Sequence, residues 1–159
     1  MLNLIQHLIA KKQMIEIEKD VYFSSKIEDM NLDVIYNFIK NSYWGKNRTL
    51  EEQQIVLKNS INFGLFVDGN QIAYSRVMTD YVFFAYLLDV FVLPEYQGKG
   101  YSKILITKIL KYPELLKIDK WMLATKDAHG LYKKFGFEAV KNPTMLMEKM
   151  SDRAKNIYL

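Results

Sequence analysis

Asp89-Val-Phe-Val-Leu-Pro-Glu-Tyr-Gln-Gly-Lys-Gly-Tyr-Ser-Lys103 joins three parts in a fixed order. An apolar β-type run, Leu87–Leu93, stops at Pro94. A loop follows with glycines at 98 and 100. Apolar residues then recur at helical spacing: Ile104, Leu105, Ile109 and Leu110. Strand, glycine turn and helix together aim backbone N–H groups at an anion. The first turn of a helix leaves four N–H donors unpaired, and its dipole adds partial positive charge there. Glycine lets backbone approach a phosphate without a Cβ in the way. Lys99 and Lys103 add formal charge. The plainer alternative is that Gly98 and Gly100 only make a tight turn. A Walker A loop is excluded by spacing. The dinucleotide fingerprint fails because its third glycine would fall at Lys103.

Working outward, 159 residues predict one domain with a sizeable core. Hydrophobic residues at 50% and charged residues at 25% are ordinary globular values. Eleven tyrosines bring polar tips to half-buried places, which suits a cleft. A net charge of +4 suits an anionic cofactor and by itself does not argue for nucleic acid. Without cysteine, disulfides, thiol nucleophiles and zinc–thiolate sites are excluded. His7 and His129 are too few for a histidine metal site, so no metal is expected. No apolar run approaches the 18 or so residues of a membrane span. Met1–Ala10 lacks a basic n-region and a cleavage site. The working expectation is a soluble cytoplasmic protein without nucleic-acid or membrane partners.

Leu2, Leu4, Ile5, Leu8 and Ile9 recur at helical spacing, and residues 1–13 are read as a loosely attached extension. The domain proper is placed at 14–150, with a frayed tail from Ser151. Partial alternation predicts at least one strand within 14–29. Asn31 or Asp33 can cap a helix carrying Val34, Ile35, Phe38 and Ile39. Tyr43 and Trp44 sit in the loop that follows. Thr49-Leu-Glu-Glu52 reads as a capping box, opening a helix to about Ile61 with Leu50, Ile55, Val56 and Leu57 inward. Phe63–Val67, a turn at Asp68-Gly69-Asn70, Gln71–Met78 and a run Tyr81–Leu93 predict an antiparallel meander. After the helix closed by Pro113, Lys120–Ala124 predicts a strand parallel to the preceding one. Asp127–Phe135 predicts a short helix ended by Gly136. Phe137–Val140 and Met145–Lys149 are read as a final hairpin.

Two signatures in this order resemble the GCN5-related N-acetyltransferase (GNAT) family. Gln97-x-x-Gly100-x-Ser102 is similar to its motif Arg/Gln-x-x-Gly-x-Gly/Ala, with serine at the last position. Ala128, Leu131-Tyr132 and Gly136-Phe137 are similar to its downstream pattern Asn-x-x-Ala-x-x-Leu-Tyr-x-x-x-Gly-Phe, with Thr125 in the Asn position. The resemblance covers about residues 30–140. It implies an α/β (α+β) fold, a mostly antiparallel twisted sheet of six to seven strands with about four helices. A splayed parallel pair of central strands would hold the cofactor. It implies acetyl-CoA, with its pyrophosphate at Gln97, Gly98, Lys99, Gly100, Tyr101 and Ser102. The pantetheine arm would lie along the backbone of Phe91, Val92 and Leu93, with Thr125 and Tyr132 nearby. Ligands do sit at the carboxyl ends of strands where a sheet switches direction.

Acetyl transfer to an amine sets three chemical requirements. A lysine-like amine, pKa about 10.4, costs roughly 4–5 kcal/mol to deprotonate at pH 7. Asp89, two residues before Phe91 and so on its strand face, is the candidate base. In diamine acetyltransferases an acidic residue occupies a similar position. The alternative for Asp89 is a buried ion pair with Arg76; Asp80 and Asp127 are second choices. The backbone N–H of Val92 is the expected oxyanion donor. Tyr132, in the family's general-acid position, would protonate the leaving thiolate, whose pKa near 8.5 already makes it tolerable.

Tyr43, Trp44, Arg76, Tyr81, Tyr86 and His129 are candidates for the acceptor pocket. The aromatic set suits a cationic amine, and Arg76 suits a carboxylate. The expected function is acetylation of a primary amine of an amino-acid-like or polyamine-like small molecule, by direct attack in a ternary complex. The alternatives are a protein or peptide N-acetyltransferase and a non-catalytic acyl-CoA-binding regulatory module. Dimers are frequent in the family, so a homodimer is the assembly the resemblance implies.

Overall fold

The computed structural model describes residues 14–158. The amphipathic reading of Leu2–Ile9 lies outside them. The chain opens with a short hairpin, β1 (Ile15–Glu18) and β2 (Val21–Ser24). Two helices follow, α1 (Leu32–Ile39) and α2 (Leu50–Lys58), then the meander β3 (Ile61–Val67), β4 (Asn70–Thr79) and β5 (Phe84–Val92). Helix α3 (Tyr101–Leu110) crosses over to β6 (Lys120–Met122), followed by α4 (His129–Lys133) and α5 (Asp152–Tyr158). The six strands lie in sequence order, antiparallel except for β5 and β6.

The local sequence explains most of these elements. Asn31 Oδ1 accepts the Val34 N–H at 3.1 Å and starts α1. Thr49 and Glu52 form the reciprocal capping box that starts α2. Asp68 and Gly69 carry the positive φ values, 50° and 76°, that a tight hairpin turn requires.

The sheet is covered on both faces. On one, α3 buries Leu105, Ile106 and Ile109 against Phe63, Leu65, Ile72 and Leu87. On the other, Ile35, Ile39 and Leu57 pack on Phe66, Tyr74 and Phe91. Complete burial of a side chain such as Ile35 stabilises the fold by about 1.5–3 kcal/mol.

Four expectations are corrected. Helix α2 ends at Lys58, and its inward residues are Gln53 and Leu57; Leu50 and Ile55 are exposed because the helix faces the sheet by a different stripe. Strand β5 begins at Phe84, not Tyr81. The Asp80 carboxylate accepts N–H bonds from Val82, Phe83 and Phe84, folding residues 80–83 into a loop. No hairpin forms from 137–149 among the described residues. Pro143 opens a 3-10 turn, and Val140, Met145, Leu146 and Met147 remain exposed instead of pairing. Residues 152–158 are helical where a frayed tail was expected, and Arg153 ties that helix to Glu52.

Candidate active site

The parallel pair separates early. Phe84–Tyr86 register with Lys120–Met122, and beyond that β5 continues to Val92 with no strand partner on that side among the described residues. Strand β6 gives way at Leu123 to irregular chain leading to α4. A wedge therefore opens between the carboxyl half of β5 and the chain that follows β6. The Leu93 N–H donates to Ile72 O of β4 at 2.8 Å. Amides alternate in direction along a strand, so the Val92 N–H faces the wedge.

Directly after β5, Gln97 Nε2 donates to Val92 O at 2.9 Å and ties the loop back onto the strand. Gly98 and Gly100 have φ of 76° and 86°, in the left-handed region. Gly100 is the N-cap of α3 and offers no side-chain cap, so the first-turn amides around Tyr101 and Ser102 face outward. Chain neighbours aside, a Cβ on either glycine would meet no atom of the described residues within 4 Å. It is backbone conformation, not crowding, that requires glycine here, and the space above the loop is open. Lys99 Nζ lies 5.7 Å from the Tyr96 ring centroid, at the loop's rim.

On α4, the helix after β6, Tyr132 is buried, with its ring 5.9 Å from Phe137. Burial, with Tyr43 and Asp127 nearby, pushes its phenol up to about 12. It is therefore protonated throughout the neutral range. Thr125 Oγ1 accepts the Ala128 N–H at 3.0 Å and shapes the turn into α4. Thr125, His129 and Tyr132 line a cavity of about 320 Å³ beside β6. His129 itself is exposed.

The bulge in β5 is the site's other half. Tyr74 registers with Phe91 and Arg76 with Leu88, so β5 carries one extra residue between those pairs. Asp89, at φ 53°, sits in that bulge. Its Oδ2 accepts Arg76 Nε at 2.6 Å and Arg48 Nη1 at 2.9 Å; its Oδ1 accepts Trp44 Nε1 at 3.0 Å. Burial works to raise its pKa, but the hydrogen bond from Arg48 and the charges of both arginines outweigh that. The carboxyl is held below its ordinary range.

The α1–α2 loop brings aromatics to this cluster. Trp44 packs edge-on against Tyr43 at 5.0 Å, and Lys126 Nζ lies 5.6 Å from the Tyr43 ring. Tyr43, Trp44, Asp89 and Arg76 are thus linked one to the next, and Tyr43 is near enough to Tyr132 to influence its phenol. Tyr86 registers with Met78, on the strand face of Arg76. Tyr81 is not brought in; it sits exposed in the loop before β5, at the other end of that strand from the glycines.

Arg48 and Gln53 were missed in the sequence. The signal for Gln53 was a polar residue one turn before Leu57 on the inward stripe. Arg48 was a cation directly before a helix N-cap, where the dipole disfavours it unless a carboxylate compensates.

Among the described residues, no helix is long and apolar enough to cross a membrane, and no group of three or more His, Asp or Glu could hold a metal. The acetyltransferase (GNAT) family model matches residues 14–137. An uncharacterised N-acetyltransferase, ycf52 of Pyropia yezoensis, is 31% identical over 148 residues, covering 89% of this chain and 83% of its own. A crystal structure from Xanthomonas campestris pv. campestris, assigned to the same family, superposes with a TM-score of 0.80 at 41% identity, covering 82% of this chain and 93% of its own. A Staphylococcus aureus protein of unknown function shares the fold, with a TM-score of 0.67 at 23% identity over 82% of this chain and 99% of its own. Wedge, glycine-led helix and family match agree: the chain is an acyltransferase enzyme and belongs to the GNAT family of acetyltransferases.

Proposed function

We propose that the protein transfers an acetyl group from acetyl-CoA to a primary amine of a small molecule, by direct attack within a ternary complex. The observation that carries this reading is the wedge between β5 and β6. A helix with no side-chain N-cap follows β5, and Tyr132 lies on the helix that follows β6, which supports this reading. The open left-handed glycine loop fits a pyrophosphate, with Gln97, Gly98, Lys99, Gly100, Tyr101 and Ser102 around it. Acetyl-CoA, when bound, supplies the activated thioester. The Val92 N–H donates to the charge that develops on the carbonyl oxygen. Tyr132 holds a proton for the departing sulfur and contributes about 10²–10³-fold.

Asp89 takes a different role from the one its position first implied. A carboxylate held low by two arginines is a weak proton acceptor. It positions Trp44 and Arg48, and the amine loses its proton to water. Tyr43, Trp44 and Arg76 form the acceptor side, with Tyr86 on the same strand face.

The test is coenzyme thiol release across a panel of small amines, amino acids and peptides. Turnover of small amines is expected. Release with peptides alone would overturn the acceptor class. Tight coenzyme A binding without release from any acceptor would overturn transfer itself.

A further inference from the structure

A cavity of about 320 Å³ lies behind Trp44 and Arg48, walled by α2 and by the C-terminal helix α5. Trp44, Lys46, Arg48, Glu52, Arg153 and Ile157 are among its lining residues. Its size suits a molecule such as an amino acid. The charge around it is unbalanced. Arg48 and Arg76 share a single carboxylate, Asp89, so the buried cluster carries one positive charge in excess. Arg48 is the member that reaches the cavity: its side chain is 16% exposed against 2% for Asp89. Glu52 is already paired with Arg153, which leaves Lys46 to add to the excess.

A buried amide holds Arg48 in place. Gln53 is fully buried, its Oε1 accepts from Arg48 Nη1 at 2.9 Å, and its Nε2 has no partner among the described residues. The amide braces the guanidinium from inside the fold and does not itself line the cavity. The excess positive charge of Arg48 and Lys46 is what an acid group recognises. A polyamine would meet the same charge as repulsion.

We propose that this cavity binds an acid group of the acceptor, so that the substrate is an amine that also carries a carboxylate or phosphate. The inference rests on the transfer reading above and selects among its acceptors. Arg48 is the specificity residue, Lys46 supports it, and α5 closes the wall.

The test compares glycine and longer amino acids with their amides, 2-aminoethyl phosphate with ethanolamine, and spermidine alone, by thiol release at saturating acetyl-CoA. Amides have the less basic amines and so more free base, a bias that runs against the proposal. An acid-bearing amine favoured by about tenfold or more in kcat/KM supports it; which acid wins names the group. Amides or spermidine turned over equally well would overturn it while leaving transfer intact. Lys46→Ala, on the exposed rim, should raise KM for the acid-bearing partner only, with the amide and coenzyme A affinity unchanged. Arg48→Gln should do so more strongly, provided its melting curve shows a folded protein. Calorimetry of the protein with coenzyme A, titrated with glutarate and with glutaramide, reads the cavity without turnover. Glutarate binding that Lys46→Ala weakens supports the site even if no amine is acetylated; no glutarate binding overturns it.

Discussion

Trp44 donates its indole N–H to Oδ1 of Asp89 at 3.0 Å, joining the loop between α1 and α2 to the bulge in β5. This bond holds one wall of the candidate acceptor site against the strand that flanks the wedge. Trp44→Phe keeps most of the packing and removes the donor. Stability should fall by about 1 kcal/mol. Acceptor KM should rise while coenzyme A affinity holds. Thermal melts and steady-state kinetics check both.

Asp89→Asn removes the shared charge and leaves two arginines facing each other in a buried place. Breaking a buried pair in this way costs about 3–5 kcal/mol. The pH dependence follows from the same pairing. The folded-state pKa of Asp89 is lowered, so its contribution is present above the unfolded value, about 3.9. It is lost as pH falls through the folded value. Wild-type melting temperature should therefore drop below about pH 4 more steeply than that of Asp89→Asn. Parallel slopes would contradict the assignment.

Gly100→Val should abolish coenzyme A binding with limited damage to the fold. Its Cβ would project into open space where, its chain neighbours aside, no atom of the described residues lies within 4 Å. The left-handed φ of 86° adds strain of about 1–2 kcal/mol. Calorimetry with coenzyme A, beside a thermal melt, separates the two effects. Normal binding by the variant would remove the pyrophosphate from this loop.

Tyr132→Phe should slow transfer by about 10²–10³-fold and leave coenzyme A affinity nearly intact. Because burial pushes the phenol up to about 12, the wild-type rate should show no loss from tyrosine ionisation between about pH 7 and 10. Equal loss of rate and affinity in the variant, or a wild-type limb falling near pH 10, would reassign Tyr132 to a structural role.

Much of the architecture was legible because its causes are local. Asn31, the Thr49–Glu52 box and Asp68-Gly69 act within a few residues of themselves, and each begins or turns an element where the pattern placed it. The strand–glycine–helix stretch was legible for the same reason. The misreadings have two different causes, the first of them just as local. Tyr81-Val-Phe-Phe looked like strand, but three N–H bonds to Asp80 fold its start into a loop. Met145–Met147 looked like strand but has no pairing neighbour among the described residues.

By itself the sequence determined the order of helices and strands between Asn31 and Gly136, the glycine loop before α3 and Tyr132 on the helix after β6. These follow from spacing, capping and backbone preference, which act along the chain. Only the tertiary structure decided that Asp89 would be shared by Arg76, 13 residues before it, and Arg48, 41 residues before it. It likewise decided that α5 would close a cavity against the loop holding Trp44. Charge pairing and burial depend on which distant segments meet, and one-dimensional spacing carries no record of that.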